Sequence, residues 1–193
     1  MKTINLNVYS FDELSEKTKR IAIDNARNDE YRLSYDWWDI VYEDFRGKAE
    51  KIGINNADFA FHLAYSQGDY TRFCKGDIDL EKVLDILDIS VRHNLKAIFL
   101  NLTEAEVKGN GKAYVEPTIW NSDCSRIEEY FYKLGLKIEK ELNKRIRTLE
   151  GELYNALCDE YEFLNSAEYI REKFLEMGTM FFENGEIYND FQN

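Results

Sequence analysis

The chain of 193 residues is 44% hydrophobic and 15% aromatic, and its 37 acidic and 25 basic residues give a net charge of −12. A composition this apolar excludes a disordered tail, because it supplies enough side chains for a sizeable core. The charge disfavours direct binding to nucleic acid or to an anionic membrane, since both carry the same sign.

The apolar runs span only a few residues, and the first ten residues, "MKTINLNVYS", lack the apolar segment of a secretory signal. The three cysteines, Cys74, Cys124 and Cys158, are odd in number and widely spaced, which indicates reduced thiols. We therefore expect a single cytoplasmic domain over residues 1–193.

At the N-terminus, Ile4, Leu6 and Val8 alternate with polar residues, which predicts a strand with one buried face. In "SFDE", residues 10–13, a serine precedes a glutamate by three positions, the pattern of a capping box that begins a helix. The predicted inward face of this helix holds Leu14, Thr18, Ile21, Ala22 and Ala26.

A second helix is predicted from Ser34 to just before Gly53, since glycine suits the left-handed conformation that ends many helices. Its predicted inward face holds Trp37, Trp38, Val41, Phe45, Ala49 and Ile52. On the opposite side, one stripe holds four carboxylates: Asp36, Asp39, Glu43 and Glu50. Such a stripe is typical of a solvated helix face, and it is also a charge pattern that fits a nucleic-acid channel. Arg46 near the stripe weakens the second interpretation.

The next segment predicts a β-hairpin. Apolar residues alternate from Phe59 to Tyr65, and residues 71–75 suit the return strand. Between them, "SQGD" supplies a glycine and polar turn formers. A tip at residues 67–69 places His62 opposite Cys74.

The tip of this hairpin is also a candidate contact patch. Gln67, Asp69 and Tyr70 surround the turn, and Arg72 follows. Tyrosine favours protein interfaces because it joins a large apolar ring to a hydroxyl group. The alternative is that the segment serves only as a turn.

Asp77 or Asp79 is the candidate N-cap of a third helix. Its apolar stripe holds Leu80, Val83, Leu84, Leu87, Val91, Leu95 and Ile98. After it, "GNG" at residues 109–111 predicts a second hairpin. Pro117 in the second arm predicts an edge strand or a bulge there.

The longest periodic run predicts one helix over about residues 123–163, because apolar residues recur at spacings of three and four. The stripe holds Ile127, Phe131, Leu134, Ile138, Leu142, Ile146, Leu149, Leu153 and Leu157. This length indicates a homodimer packed through the long helix. The alternative is packing on the chain's own sheet and shorter helices.

A shorter helix, capped by Asn165 or Ser166, follows the long one. Its predicted inward face holds Ile170, Phe174 and Met177. Asn184-Gly185 between apolar pairs is a strong signal for a final hairpin. Hairpins and segregated helices in this order predict an α+β fold with a mostly antiparallel sheet.

Three segments carry a resemblance: "FDELSEKTKRIAIDNA" after the first strand, "AYSQGDYTRF" in the first hairpin and "FFENGEIY" near the C-terminus. Together they resemble a family of uncharacterised proteins encoded by bacteriophages and prophages. That family often has a tyrosine-histidine pair where this chain has Val115 and Glu116, so no role of that histidine transfers. The resemblance implies an accessory protein acting in the cytoplasm of a bacterial host, and such proteins often bind and block a host factor.

These observations favour a protein that acts by binding and needs no cofactor, metal or catalytic residue of its own. The expected partner is a host protein with a basic surface, such as a nucleic-acid-binding enzyme of a CRISPR or restriction system. The acidic stripe and the hairpin tip are the candidate contacts, and inhibition is the expected outcome.

Two other function classes stay open. A nuclease or hydrolase would use Cys74 activated by His62, or a cation held by Asp69, Asp77 and Asp79. A zinc site is disfavoured, since the chain has only two histidines and no Cys-x-x-Cys. An antitoxin-like regulatory partner of another phage-encoded protein is the third class.

Overall fold

The computed structural model of the chain describes residues 7–29, 33, 36–64, 67–118 and 125–188. Its elements, in chain order, are β1 (Tyr9–Ser10), a 3₁₀ turn (Phe11–Glu13), α1 (Glu16–Arg27), α2 (Asp39–Lys51), β2 (Ile54–His62), β3 (Tyr70–Ile78), α3 (Leu80–Ile86), α4 (His93–Asn101), β4 (Thr103–Lys108), β5 (Lys112–Pro117), α5 (Ser125–Leu164), α6 (Ala167–Glu176) and β6 (Met180–Phe181). All strand pairs are antiparallel, so the α+β prediction is confirmed.

Backbone contacts divide the chain into two compact units. The first consists of residues 1–37 and 159–193, and the second of residues 38–158. α5 therefore belongs to the second unit up to Cys158. That the whole chain is one domain stays a prediction.

The first unit is built on β1 paired with β6 and on a small apolar core. Phe11, Phe174 and Phe181 form an aromatic cluster with ring centroids 4.9–5.9 Å apart. The other buried residues of this core are Leu14, Ala22, Ala26 and Ile170. The predicted strand at residues 4–8 lies mostly outside the described residues.

The "SFDE" cap forms, but α1 begins later than predicted. The Glu13 carboxylate accepts hydrogen bonds from the N–H and the hydroxyl of Ser10, at 2.8 and 2.9 Å. This cap closes only the 3₁₀ turn. α1 has its own cap at Ser15, whose hydroxyl accepts the Thr18 N–H at 3.2 Å.

Two residues predicted to face this core are exposed: Ile21 by 38% and Met177 by 77%. Ala22 and Ala26 pack in place of Ile21. Met177 is the C-cap residue that follows α6. The Asn184-Gly185 turn is confirmed, with Gly185 at φ +89° and the Phe182 N–H bonded to the Glu186 carbonyl at 2.9 Å.

The second unit contains a sheet in the order β2-β3-β4-β5. In the first hairpin His62 stands opposite Tyr70, so the predicted pairing of His62 with Cys74 is wrong. The reason is a wider loop: the connection spans residues 63–69 and is closed by the Asp69 side chain rather than by continued strand pairing. The "GNG" hairpin forms, and Pro117 lies in the edge strand β5, as predicted.

The predicted third helix is two helices, α3 and α4. Asp79 caps α3 by accepting the Lys82 N–H at 3.0 Å, as predicted for one of the two candidates. The chain then turns at Asp88, which has φ +49°, and the Ile89 N–H bonds back to the Leu84 carbonyl at 2.9 Å. This is the Schellman pattern, formed here with aspartate where glycine is usual.

α5 confirms the predicted long helix, and its apolar stripe is buried against other residues of the same chain. From residue 131 to residue 157 the stripe is at most 9% exposed at Phe131, Leu134, Ile138, Leu142, Ile146, Leu149, Leu153 and Leu157. The packing on the chain's own sheet and helices that was the alternative thus accounts for this stripe, and the homodimer through the long helix stays a prediction.

Polar side chains of α5 bond to strand N–H groups that have no strand partner. Asn143 Oδ1 accepts the Ala113 N–H, and Glu139 Oε1 accepts the Val115 N–H, both at 2.8 Å. Four helix residues rise about 6 Å and two antiparallel strand residues about 6.8 Å, so successive side chains meet successive N–H groups. α5 thus closes the β5 edge of the sheet.

α5 reaches β3 in the same way. Glu150 Oε1 accepts the Phe73 N–H at 3.0 Å, and its burial raises the pKa of the Glu150 carboxyl above its usual range. Because the folded pKa lies above the unfolded one, Glu150 costs stability at neutral pH, and this cost disappears as pH falls through both values.

We expect Glu150→Gln to keep the acceptor for the Phe73 N–H and to remove the cost of the buried charge. The variant should be more stable than the wild type at pH 7, with the difference vanishing near pH 4. Glu150→Ala should lose about 1–3 kcal/mol, since it leaves the N–H without an acceptor. Urea unfolding between pH 4 and 8 measures both effects, and parallel pH profiles for Gln and wild type would contradict the assignment.

Candidate functional site

The acidic stripe predicted on the second helix lies on the exposed face of α2. Asp39, Glu43 and Glu50 are all exposed, while Phe45 and Ala49 on the opposite face are at most 2% exposed. Asp36 is exposed in the turn before α2 and belongs to the first unit. The structure therefore brings three of the four predicted carboxylates together on one helix.

Aromatic packing fixes the direction in which this face points. The Tyr42 ring lies 5.2 Å from the Phe59 ring and 6.1 Å from the Phe61 ring. The ring of Trp38, at the N-cap of α2, has its centroid 5.3 Å from that of the Phe61 ring. These contacts hold α2 against β2, so its acidic face is turned away from the sheet.

The three carboxylates of the α2 face have no ion pair among the described residues. The ion pair within α2 joins Asp44 and Lys48 at 3.1 Å, beside the stripe. Arg46, which appears close to the stripe in sequence, has its guanidinium 6.0 Å from the centre of the Tyr42 ring. Within the part of the chain that the structure describes, no cation neutralises the charge of this face.

Ile40 is the residue of this surface that sequence reasoning missed. It is 71% exposed and lies one helical turn before Glu43. The signal was available, because position 40 falls well outside the arc of Val41, Phe45 and Ala49 on the helix. An exposed isoleucine beside these carboxylates gives the surface an apolar contact point.

The hairpin tip presents some of its predicted contact residues and turns one inward. Gln67 is exposed, and Tyr70 is 44% exposed. The Tyr70 ring stacks with the His62 ring at 6.2 Å and an angle of 14°, and the Arg72 guanidinium lies 5.2 Å from its centre. Tyr65 and Ser66 of the tip lie outside the described residues.

Asp69 points into the protein, with only 8% of its side chain exposed. Its Oδ1 accepts the Ala64 N–H at 2.8 Å, and its Oδ2 accepts the Tyr154 hydroxyl of α5 at 3.4 Å. His62 Nδ1 lies 3.6 Å from Oδ1. The hydrogen bond between Tyr154 and the Cys158 thiol, together with the nearby Asp69, raises the pKa of Tyr154. Asp69 thus ties the hairpin loop to α5.

The residues weighed for catalysis lie apart or have structural contacts. Cys74 is not opposite His62. Asp77 accepts a hydrogen bond from the Asn56 amide at 2.7 Å, and Asp79 caps α3. Within the described ranges, no three histidine, cysteine, aspartate or glutamate side chains are grouped closely enough to hold a metal ion. In the same ranges no helix has the length and apolar character needed to cross a membrane.

We expect Asp69→Ala to destabilise the protein by about 1–3 kcal/mol, since it removes the acceptor of a backbone N–H and the link to Tyr154. Gln67→Ala, two residues away on the exposed part of the loop, should change stability by less than about 0.5 kcal/mol. Urea unfolding at pH 7 measures both. Equal effects of the two substitutions would show that the Asp69 carboxylate does not hold the loop.

Residues 37–167 match the family described as "Domain of unknown function (DUF8835)". The matched segment contains α2, the four-stranded sheet and all of α5. No curated protein and no solved structure matches the chain. Because the matched segment covers more than half of the residues, the chain belongs to the DUF8835 family.

Proposed function

We propose that this protein acts by binding a partner protein through the exposed face of α2. The partner is a host enzyme with a cationic nucleic-acid groove, and occupation of that groove inhibits it. One observation carries the proposal: Asp39, Glu43 and Glu50 are exposed, and form no ion pair with any residue that the structure describes, on a helix whose opposite face is buried.

The spacing of the α2 carboxylates supports a groove made for nucleic acid. At 1.5 Å per residue, Asp39 and Glu43 are about 6 Å apart along the axis, and Glu43 and Glu50 about 10 Å. These distances are close to two and three phosphate steps of about 3.4 Å. Among the described residues these carboxylates have no ion pair that would have to break before they enter such a groove.

The negative charge raises the rate of association, and apolar contact contributes most of the affinity. A net charge of −12 speeds the encounter with a cationic surface, while exposed ion pairs add little binding energy by themselves. Ile40, which is 71% exposed next to the carboxylates, provides area that a partner can bury.

The resemblance to phage and prophage proteins supplies the biological setting of the proposal. An accessory protein of this type acts in the cytoplasm of a bacterial host, where CRISPR effectors and restriction enzymes are the nucleic-acid-directed defences that it meets. An antitoxin-like role toward another phage-encoded protein is the alternative within the same binding class.

We expect the purified protein to reduce DNA binding by at least one member of a panel of restriction endonucleases and RNA-guided nucleases at 50 mM salt. The triple variant Asp39→Asn, Glu43→Gln, Glu50→Gln should lose at least tenfold in inhibitory potency, and raised salt should weaken the wild type more than the variant. Gel-shift titration of each enzyme with its DNA measures this.

The matched control is the triple variant Glu152→Gln, Asp159→Asn, Glu162→Gln. It removes the same three charges from exposed positions of α5. Control and wild type should inhibit equally. Equal loss of inhibition in the two triple variants would assign the effect to total charge and overturn the role of the α2 face.

A further inference from the structure

A line of four cations runs along the exposed side of α5. Lys137, Lys140, Lys144 and Arg147 follow at spacings of three, four and three residues, so they share one helix face. All four are exposed, and none forms an ion pair with a described residue. Successive members are about 4.5–6 Å apart along the axis.

The packing of α5 fixes this face outward. Its apolar stripe is buried on the opposite side, and Glu139 and Asn143 on its flank bond to the N–H groups of β5. Between Tyr130 and Leu149 the acidic residues are Glu139 and Glu141. The basic residues of the same stretch are Lys133, Lys137, Lys140, Lys144, Arg145 and Arg147. The net charge of this stretch of α5 is thus opposite in sign to that of the chain.

The cation line continues onto β3. Arg147 and Arg72 both lie near Glu150, where their positive charges oppose the rise in the pKa of its carboxyl. A Cβ atom at Gly111 would lie 2.6 Å from the Glu150 carboxylate and 3.1 Å from Arg72 Cγ, so the two side chains are neighbours. Both cations therefore lie beside the half-buried Glu150 carboxylate, which brings the cation line of α5 next to the first hairpin.

Beyond Arg72 the surface becomes aromatic. The Arg72 guanidinium, the Tyr70 ring and the His62 ring form a ladder of planar groups, with separations of 5.2 and 6.2 Å. The Tyr70 residue is 44% exposed and the His62 side chain 55% exposed. The ladder is therefore accessible to a flat ligand.

We propose that this cationic–aromatic surface, formed by Lys137, Lys140, Lys144, Arg147, Arg72, Tyr70 and His62, binds single-stranded nucleic acid. The cations of α5 contact successive phosphates, and the planar ladder stacks with a base. Cations that follow the strand and aromatic groups that stack with bases are the two components of sequence-tolerant binding to single strands. An acidic protein partner would contact the cations, but it has no bases to stack on the planar groups.

The total charge of −12 predicts no direct binding to nucleic acid, whereas the α5 surface is proposed to bind it. That expectation treated the acidic and basic residues as evenly mixed. Binding at short range depends on the charges within about 10 Å, the screening length at 0.1 M salt. This inference rests on the proposed function in one respect: the partner of α2 is an enzyme that binds nucleic acid, and the α5 surface would bind a single strand of that nucleic acid. Binding to the strand can be tested without the enzyme.

The test is fluorescence anisotropy of the full-length protein with labelled dT20 and rU20 oligonucleotides at 50 and 200 mM salt. We expect binding at 50 mM salt and a roughly fiftyfold weaker affinity at 200 mM, as four phosphate contacts predict for single strands. The variant Lys140→Glu, Lys144→Glu should bind at least tenfold more weakly. The matched control, Lys17→Glu, Lys51→Glu, has the same net charge and should lose less than threefold.

The aromatic part has its own test. Tyr70→Ala should weaken dT20 binding roughly tenfold, and Tyr70→Phe, which keeps the ring, should not. No binding to either oligonucleotide at 50 mM salt would overturn the proposal. Equal loss in the two lysine variants, or displacement of dT20 by poly-L-glutamate at an equal concentration of charge, would also overturn it. The α2 triple variant should bind dT20 at least as tightly as wild type, so failure here and failure of the α2 face are distinguishable.

Discussion

The second unit depends on hydrogen bonds between the long helix and strand groups that have no strand partner. Asn143 and Glu139 meet the N–H groups of Ala113 and Val115 because four helix residues and two strand residues advance by nearly the same distance. Glu150 repeats the contact at β3. These bonds close an edge that would otherwise invite another strand, and they prevent α5 from rotating about its axis.

Because α5 cannot rotate about its axis, its charged side chains stay on one defined face of the helix. With the apolar stripe buried and one flank bonded to the sheet, the cation line from Lys137 to Arg147 faces solvent. α2 is fixed by a different contact, the packing of Tyr42 on two phenylalanine rings of β2. A chain that is acidic in total therefore carries one acidic and one basic helix face, and rigid packing rather than composition separates them. The two faces therefore suit binding partners of opposite charge.

Helical spacing and turn residues predicted much of the fold. The two later turns and the long helix follow from local chemistry and were predicted. Asp79 and Ser166 were each one of two candidate caps, and the predicted Ser10 cap closes a 3₁₀ turn rather than α1. The break between α3 and α4 was not, because Asp88 adopts a left-handed conformation that usually indicates glycine. The first hairpin was misaligned because Asp69 bonds to Ala64, and no spacing rule describes such a contact. Of the candidate site, the α2 carboxylates were predictable, whereas the inward turn of Asp69 and the joining of Arg72 to the α5 cations depend on tertiary packing.

Hydrogen–deuterium exchange of single amides tests the link between α5 and the sheet most directly. The account predicts that the Ala113, Val115 and Phe73 N–H groups exchange as slowly as the central amides of the sheet. Substituting Asn143 with alanine should speed exchange at Ala113 and leave Phe73 slow. Fast exchange at all three amides in the unaltered protein would contradict the account, since α5 would then not be fixed by these bonds.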